Sequence, residues 1–276
     1  MTVSLSPQQR AAYERAGILF PIRVMPEAEA AELLSRLQGL EAREGGRLSK
    51  RTNQKPHLLV PWINALCRNP LILDAVESVI GPDILVWGSG FFGKKAGDGT
   101  FISWHQDSTY WGLSEPDIVT AWVALTPSTP ASGCMQVIPG THTRDQVPHR
   151  DTFAGANLLS RGQEIAVEVD RAQAVDVVLR PGEMSLHHVR IFHGSEPNRA
   201  DHPRVGLAIR YIPTRLRQVG ARTSAMLVRG TDAYGNFDPE PSPEREFSDA
   251  AVAFHAATLD RTMGVLYAGA DEAKPG

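Results

Sequence analysis

Residues 103–113, SWHQDSTYWGL, set His105 and Asp107 two positions apart among Trp104, Tyr110 and Trp111. On an extended strand, side chains two apart point the same way, so His105 and Asp107 would project together while Gln106 faces away. A histidine near an aspartate is common in solvated turns, and the pair alone says little. It gains weight from HGSEPN, where His193 follows the strand-like GEMSLHH. Two neutral imidazoles and a carboxylate on one face of an octahedron hold non-haem Fe(II) and leave three positions open. Those positions suit a bidentate 2-oxo acid and then dioxygen. No thiolate accompanies the three, which turns the pattern away from zinc or an iron–sulfur cluster.

A co-substrate with a second carboxylate needs a fixed cation at its far end. Arg204 lies eleven residues after His193 and opens RVGLAIRYI. Its planar fork can grip a carboxylate through two hydrogen bonds and stays charged at any working pH. Ser195, two beyond His193, would share that histidine's face and could donate its hydroxyl to the same carboxylate. Without His193, the plainer reading of Arg204 is a surface arginine.

These residues need a scaffold, and the chain changes texture where they begin. The first eighty residues read as helical: Ser6-Pro7 starts one helix and Gly17 stops it, and Leu33, Leu34, Leu37 and Leu40 share a face of a second. Asn69-Pro70 and Gly81 bracket a third. Thereafter come short segments rich in β-formers, including DILVWGSGFFGKK, GTFISWHQD, DIVTAWVAL and RVGLAIRYI, punctuated by Gly, Pro, Ser and Asp. That grammar indicates a β-sandwich or barrel. Residues 141–163 interrupt the strands as a candidate lid, residues 230–247 read as a loop, and SDAAVAFHAATLDRTMGVLY closes the chain as a helix. We therefore expect one domain over residues 1–276, with a helical flank (1–82), a β core (83–214) and a C-terminal extension (215–276).

Composition limits the partners. A formal charge of −3 argues against a nucleic-acid surface. No apolar run reaches membrane-spanning length, and MTVSLSPQQR lacks the pattern of a signal peptide. Cys67 and Cys134 are the only cysteines, too few for a disulfide framework and suited to a reducing cytoplasm.

H-x-D followed by H-x-S, with an arginine eleven past the second histidine, resembles the phytanoyl-CoA dioxygenase family of Fe(II)/2-oxoglutarate oxygenases. DIVTAWVALTPSTPASGCMQVIPGTH is similar to that family's strand-turn-strand with a closing proline-glycine. The resemblance runs from the N-terminal helices to about Thr214. It implies a mainly β protein with flanking helices, built on a double-stranded β-helix (jelly-roll, cupin-like) core. It further implies His105, Asp107 and His193 as catalytic iron ligands, and Arg204, Ser195 and Trp122 at the 2-oxoglutarate. The cofactors would be Fe(II), 2-oxoglutarate and O2, with ascorbate as reductant, and the partner a small-molecule substrate. Lys94 departs from the family pattern, since proline often follows that lysine and here Lys95 does.

Other residues invite plainer readings. His187 and His188 are adjacent, so they face opposite sides of a strand; one of them can reach the pocket, but a satisfied core histidine is the ordinary fate of either. His57 could be a substrate contact, but helix capping or a surface position is the plainer reading, and for His142, His149 and His202 we expect no role. On RVGLAIRYI, alternation puts Gly206, Ala208 and Arg210 on the face of Arg204, with space above the two small residues. Arg210 is either solvated at the barrel rim or turned inward, where it would favour an anionic substrate. Two other functions compete with the oxygenase. One is a cupin-like metal isomerase or hydrolase without 2-oxoglutarate, which leaves Arg204 and Ser195 unexplained. The other is a non-catalytic binding module, which makes the histidines and aspartate coincidental.

Overall fold

The computed structural model describes residues 4–159 and 161–266, with the backbone alone of Thr109, Tyr110 and residues 262–266. Helices α1 (Pro7–Ala16), α2 (Glu27–Arg43), α3 (Pro61–Cys67) and α4 (Pro70–Ile80) precede most of the strands, and α5 (Asp249–Leu266) follows them. Their ends obey local chemistry. Ser6 and Gln9 form a reciprocal capping box on α1, and Gly17 ends it in the left-handed conformation. Asn69 caps α4 by accepting from the Leu71 N–H. The Tyr110 side chain and Tyr267, at the end of the expected closing helix, lie outside the described residues.

The strands are β1 (Ile18–Arg23), β2 (Ile84–Lys94), β3 (Ile102–His105), β4 (Val119–Ala124), β5 (Gln136–Ile138), β6 (His149–Arg150), β7 (Glu164–Ile165), β8 (Val175–Asp176), β9 (Glu183–His188), β10 (Phe192–Ser195), β11 (Arg204–Pro213), β12 (Ser224–Arg229) and β13 (Asp238–Pro239). Seven form a major sheet in the order β1-β9-β4-β11-β2-β12-β13, and four form a minor sheet, β3-β10-β5-β8. β1 is a strand within the flank expected to be mainly helical. It pairs with β9 at the sheet edge, the one place where a strand carrying Pro21 loses no needed ladder bond.

Strand alternation divides the major sheet into two faces. Val119, Ala121 and Val123 of β4 and Leu207, Ile209 and Tyr211 of β11 join a core with Leu37, Leu40, Ile72 and Val76 of the helices. Trp122, Ala124 and Ala208, on the other face, pack with Met135, Val137, Val177 and Leu179 of the minor-sheet side. The result is a jelly roll: two sheets enclose one interior, and helices cover the back of the larger sheet.

Residues 141–163 are anchored to the minor sheet. β6 pairs with β7, Phe101 bridges Asn157, and the Ser103 hydroxyl donates to the Gln163 carbonyl. The C-terminal extension is tied to the back of the major sheet by a buried polar cluster. Lys55 pairs with Glu240 and donates to the Ser224 carbonyl at 2.8 Å. His57 is fully buried between Ser89 Oγ (2.7 Å) and Glu240 Oε2 (2.9 Å), neither a helix cap nor a surface residue as expected. Its partner is 183 residues away in sequence, so no local signal marks it.

Candidate metal centre

β3 and β10 are neighbours in the minor sheet, and their register sets His105 directly opposite His193. The two rings lie 4.0 Å apart between centroids. Asp107 reaches the same point by a different route from the expected one. β3 ends at His105, and Asp107 opens a short 3-10 turn pinned by its N–H to the Val189 carbonyl at 3.0 Å. Strand alternation therefore accounts for His105 and the turned-away Gln106, whose side-chain amide donates to the Arg190 carbonyl. The turn accounts for Asp107.

One ligand atom from each of His105, Asp107 and His193 can be chosen so that all lie within 4.8 Å of one another. His105 Nε2 is 3.3 Å, and His193 Nε2 3.9 Å, from Asp107 Oδ1. Main-chain carbonyls fix both rings: His105 Nδ1 meets Ser103 O (2.9 Å) and His193 O (3.1 Å), and His193 Nδ1 meets Ile191 O (3.0 Å). Each Nδ1 therefore carries the proton, and each Nε2 lone pair faces the carboxylate. Burial, reinforced by the neighbouring His105, pushes His193 down to about 3 and keeps it neutral. Burial works against the Asp107 carboxylate, yet the imidazoles of His105, His187 and His193 gathered around it outweigh burial and hold Asp107 well below the usual range. Two imidazole nitrogens and an ionised carboxylate, with no thiolate, are a donor set that fits non-haem iron.

A cavity opens from these atoms and is lined by Trp122, Ser195 and Arg204 among others. Arg204 is buried, its guanidinium stacked 4.6 Å above the Trp122 ring. Its Nε and Nη1 have no hydrogen-bond partner, and among the described residues it forms no ion pair. Burial lowers it to about 10, so it remains cationic at neutral pH. A buried cation with N–H groups to spare fits a carboxylate that arrives from outside the chain. Lys94 sits opposite Arg204 on β2 and donates from Nζ to Ser195 Oγ at 2.7 Å. Burial and the Arg204 charge bring Lys94 down to about 7.

Two residues depart from the plainer sequence reading, and a third, Arg210, takes one of its two alternatives. His187, and not His188, enters the cavity: its Nε2 is 3.8 Å from Asp107 Oδ2 and its Nδ1 lacks a partner. His188 packs on His142 and accepts from the Arg190 N–H, a satisfied histidine as expected. Gly206 leaves no open space, because the Trp122 indole fills it: a Cβ there would come within 2.2 Å of the ring. Arg210 does face inward on the face of Arg204 and lines the cavity, so it is not a solvated rim residue.

Fold and donor set together define a jelly-roll oxygenase of the non-haem Fe(II)/2-oxoglutarate-dependent class. Within that class, the chain belongs to the phytanoyl-CoA dioxygenase family, whose model matches residues 13–206. It is similar to a probable alpha-ketoglutarate-dependent hypophosphite dioxygenase of Stutzerimonas stutzeri, 27% identical over 188 residues, which are 67% of this chain and 62% of that relative's length. Among solved structures it resembles the non-haem monooxygenase ThoJ in its apo form, at 36% identity and a TM-score of 0.85, over 94% of this chain and 98% of that one. It also resembles CytC3 with Fe(II) and alpha-ketoglutarate, at 26% identity and a TM-score of 0.67, over 90% and 97% of the two chains.

Proposed function

We propose that this protein couples oxidative decarboxylation of 2-oxoglutarate to hydroxylation of a small molecule, releasing succinate and CO2. The observation that carries the reading is the buried Arg204 guanidinium, with N–H groups unpaired, in the same cavity as the His105–Asp107–His193 set. A metal isomerase or hydrolase of the same fold leaves that cation unexplained.

In this reading His105, Asp107 and His193 would hold Fe(II). With 2-oxoglutarate and O2, the bound iron supplies the oxidising power for one C–H bond of the substrate. Arg204 receives the distal carboxylate of 2-oxoglutarate, and Trp122 holds the guanidinium flat against the cavity wall. Lys94 donates to Ser195 Oγ and thereby turns the serine hydroxyl hydrogen away from itself, toward the same carboxylate. Asp107 occupies the ligand position that a halide would need, which favours hydroxylation over halogenation. Ascorbate would keep the iron reduced. No helix among the described residues is long and apolar enough to cross a membrane. The two buried, unpaired cysteines suit the cytoplasm as the working compartment.

The test is oxygen uptake and succinate formation by the purified protein with Fe(II), ascorbate and 2-oxoglutarate. Slow turnover without substrate, abolished by omission of 2-oxoglutarate, is the expected result. Failure to bind or consume 2-oxoglutarate would favour the isomerase or hydrolase reading. A metabolite screen for compounds that stimulate succinate release would then identify the substrate.

A further inference from the structure

The wall of the cavity beyond the metal carries a row of polar side chains that the proposed co-substrate does not use. Sheet register sets His187 of β9 beside Thr120 of β4, and Thr120 beside Arg210 of β11. All three line the cavity, and each holds a buried polar atom without a partner: His187 Nδ1, Thr120 Oγ1 and Arg210 Nε. Buried polar groups in native proteins are nearly always satisfied, so three orphans in one row point to a ligand.

Arg210 sets the sign of that ligand. Its guanidinium lies 5.7 Å from the Phe92 ring centroid and 5.5 Å from that of Trp111, flanked by aromatic surfaces that exclude water. Among the described residues it forms no ion pair. Asp107 is the acid that attracts it, and that carboxylate is committed to the metal and the imidazoles. In the loaded cavity, a divalent metal, Asp107, the two carboxylates of 2-oxoglutarate and Arg204 cancel in formal charge. The positive charge of Arg210 is left over.

From this row we infer that the primary substrate bears an oxyanion, a carboxylate or a tetrahedral phosphorus oxyanion, which Arg210 and Thr120 bind while the C–H bond to be oxidised faces the metal. The inference rests on the oxygenase reading and names the substrate class of that same site. Arg210 and Thr120 donate to the oxyanion. A neutral hydrocarbon would leave both groups unpaired and is selected against for that reason.

Calorimetry on protein loaded with Ni(II) and saturated with 2-oxoglutarate tests this without turnover. The probes are propionate, its neutral isostere propionamide, and methylphosphonate. At least one anion should bind saturably, with propionamide at least tenfold weaker. Arg210→Ala and Arg210→Gln should each weaken the anion at least tenfold, Arg210→Lys less, and Thr120→Val by a smaller factor. A stronger response to propionate assigns a carboxylate, and a stronger one to methylphosphonate a phosphorus oxyanion. The 2-oxoglutarate affinity of each variant, measured first, separates the two readings. If the wild type does not bind 2-oxoglutarate, the oxygenase reading fails. If it does, the oxyanion site is overturned by any of three results: absent anion binding, equal binding of propionamide, or anion binding undiminished in both Arg210→Ala and Arg210→Gln. Loss of 2-oxoglutarate in Arg210→Gln would also overturn it, by assigning the arginine to the co-substrate.

Discussion

Gly206→Ala adds one methyl group, and the structure says where it goes. The new Cβ would fall 2.2 Å from Trp122 Cζ2, 2.5 Å from Cη2 and 2.6 Å from Cε2. Carbon atoms in ordinary contact sit at ~3.5–4.0 Å, so the indole must retreat by more than ~1 Å. That ring lies between two sheets, packed against Ala208, Met135 and Leu179, and has little room to move. Overpacking of this kind costs ~1–3 kcal/mol, or a fall of ~2–10 °C in melting temperature for a chain of this length. The same ring carries the Arg204 guanidinium at 4.6 Å. Its displacement disturbs a desolvated cation–π contact worth up to ~2 kcal/mol, and 2-oxoglutarate should bind ~5–30-fold more weakly. The proposed metal ligands sit on β3, β10 and the turn after β3, away from β11, so metal affinity should stay within about twofold. Thermal unfolding, with calorimetric titration of metal and then of 2-oxoglutarate, reads all three quantities. Adding Trp122→Phe removes the clashing six-membered ring of the indole, so the double variant should be more stable than Gly206→Ala alone. A Gly206→Ala protein with unchanged melting temperature and unchanged 2-oxoglutarate affinity would refute the coupling of Gly206, Trp122 and Arg204.

Three further outcomes follow from the site and its support. His105→Ala, Asp107→Ala and His193→Ala should each lose the metal by equilibrium dialysis, since two ligands make a weak site, while His187→Ala and His188→Ala retain it; loss in His188→Ala with retention in His193→Ala would reverse the assignment. Arg204→Ala should raise the apparent KM for 2-oxoglutarate by the ~2–5 kcal/mol of a lost charge-assisted pair in a closed cavity. Arg204→Lys should rescue it only in part, because an ammonium cannot reproduce the fork. Burial opposes ionisation of Glu240, but the charge of Lys55 and the hydrogen bond from His57 win and hold it at about 2 against an ordinary 4.5. That difference contributes ~3 kcal/mol of stability above pH 4.5, lost as pH falls toward 2. Unfolding free energy should drop over that window in the wild type and less steeply in Glu240→Gln.

By itself, the sequence determined the donor types, the short-strand grammar of a sandwich or barrel, and the face of β11 that carries Arg204 and Arg210. Those properties are local: residue chemistry, strand alternation, and caps or turns read within a few positions. Alternation held along β11 because the strand is long and paired on both sides, so its faces cannot slip. It failed after His105, where the strand gives way to a turn whose hydrogen-bond acceptor, Val189, lies far along the chain. What only the tertiary structure decided are relations across strands. The pairing of β3 with β10 sets His105 opposite His193, and the order β9-β4-β11 lines up His187, Thr120 and Arg210. The space over Gly206 looked free along the strand and is filled by a tryptophan from the neighbouring one. Likewise His57, unremarkable in KPHLLVPW, is buried only because the C-terminal segment returns Glu240 to it. Such contacts are chosen by which faces can be buried together, a property of the whole packed chain and not of any window within it.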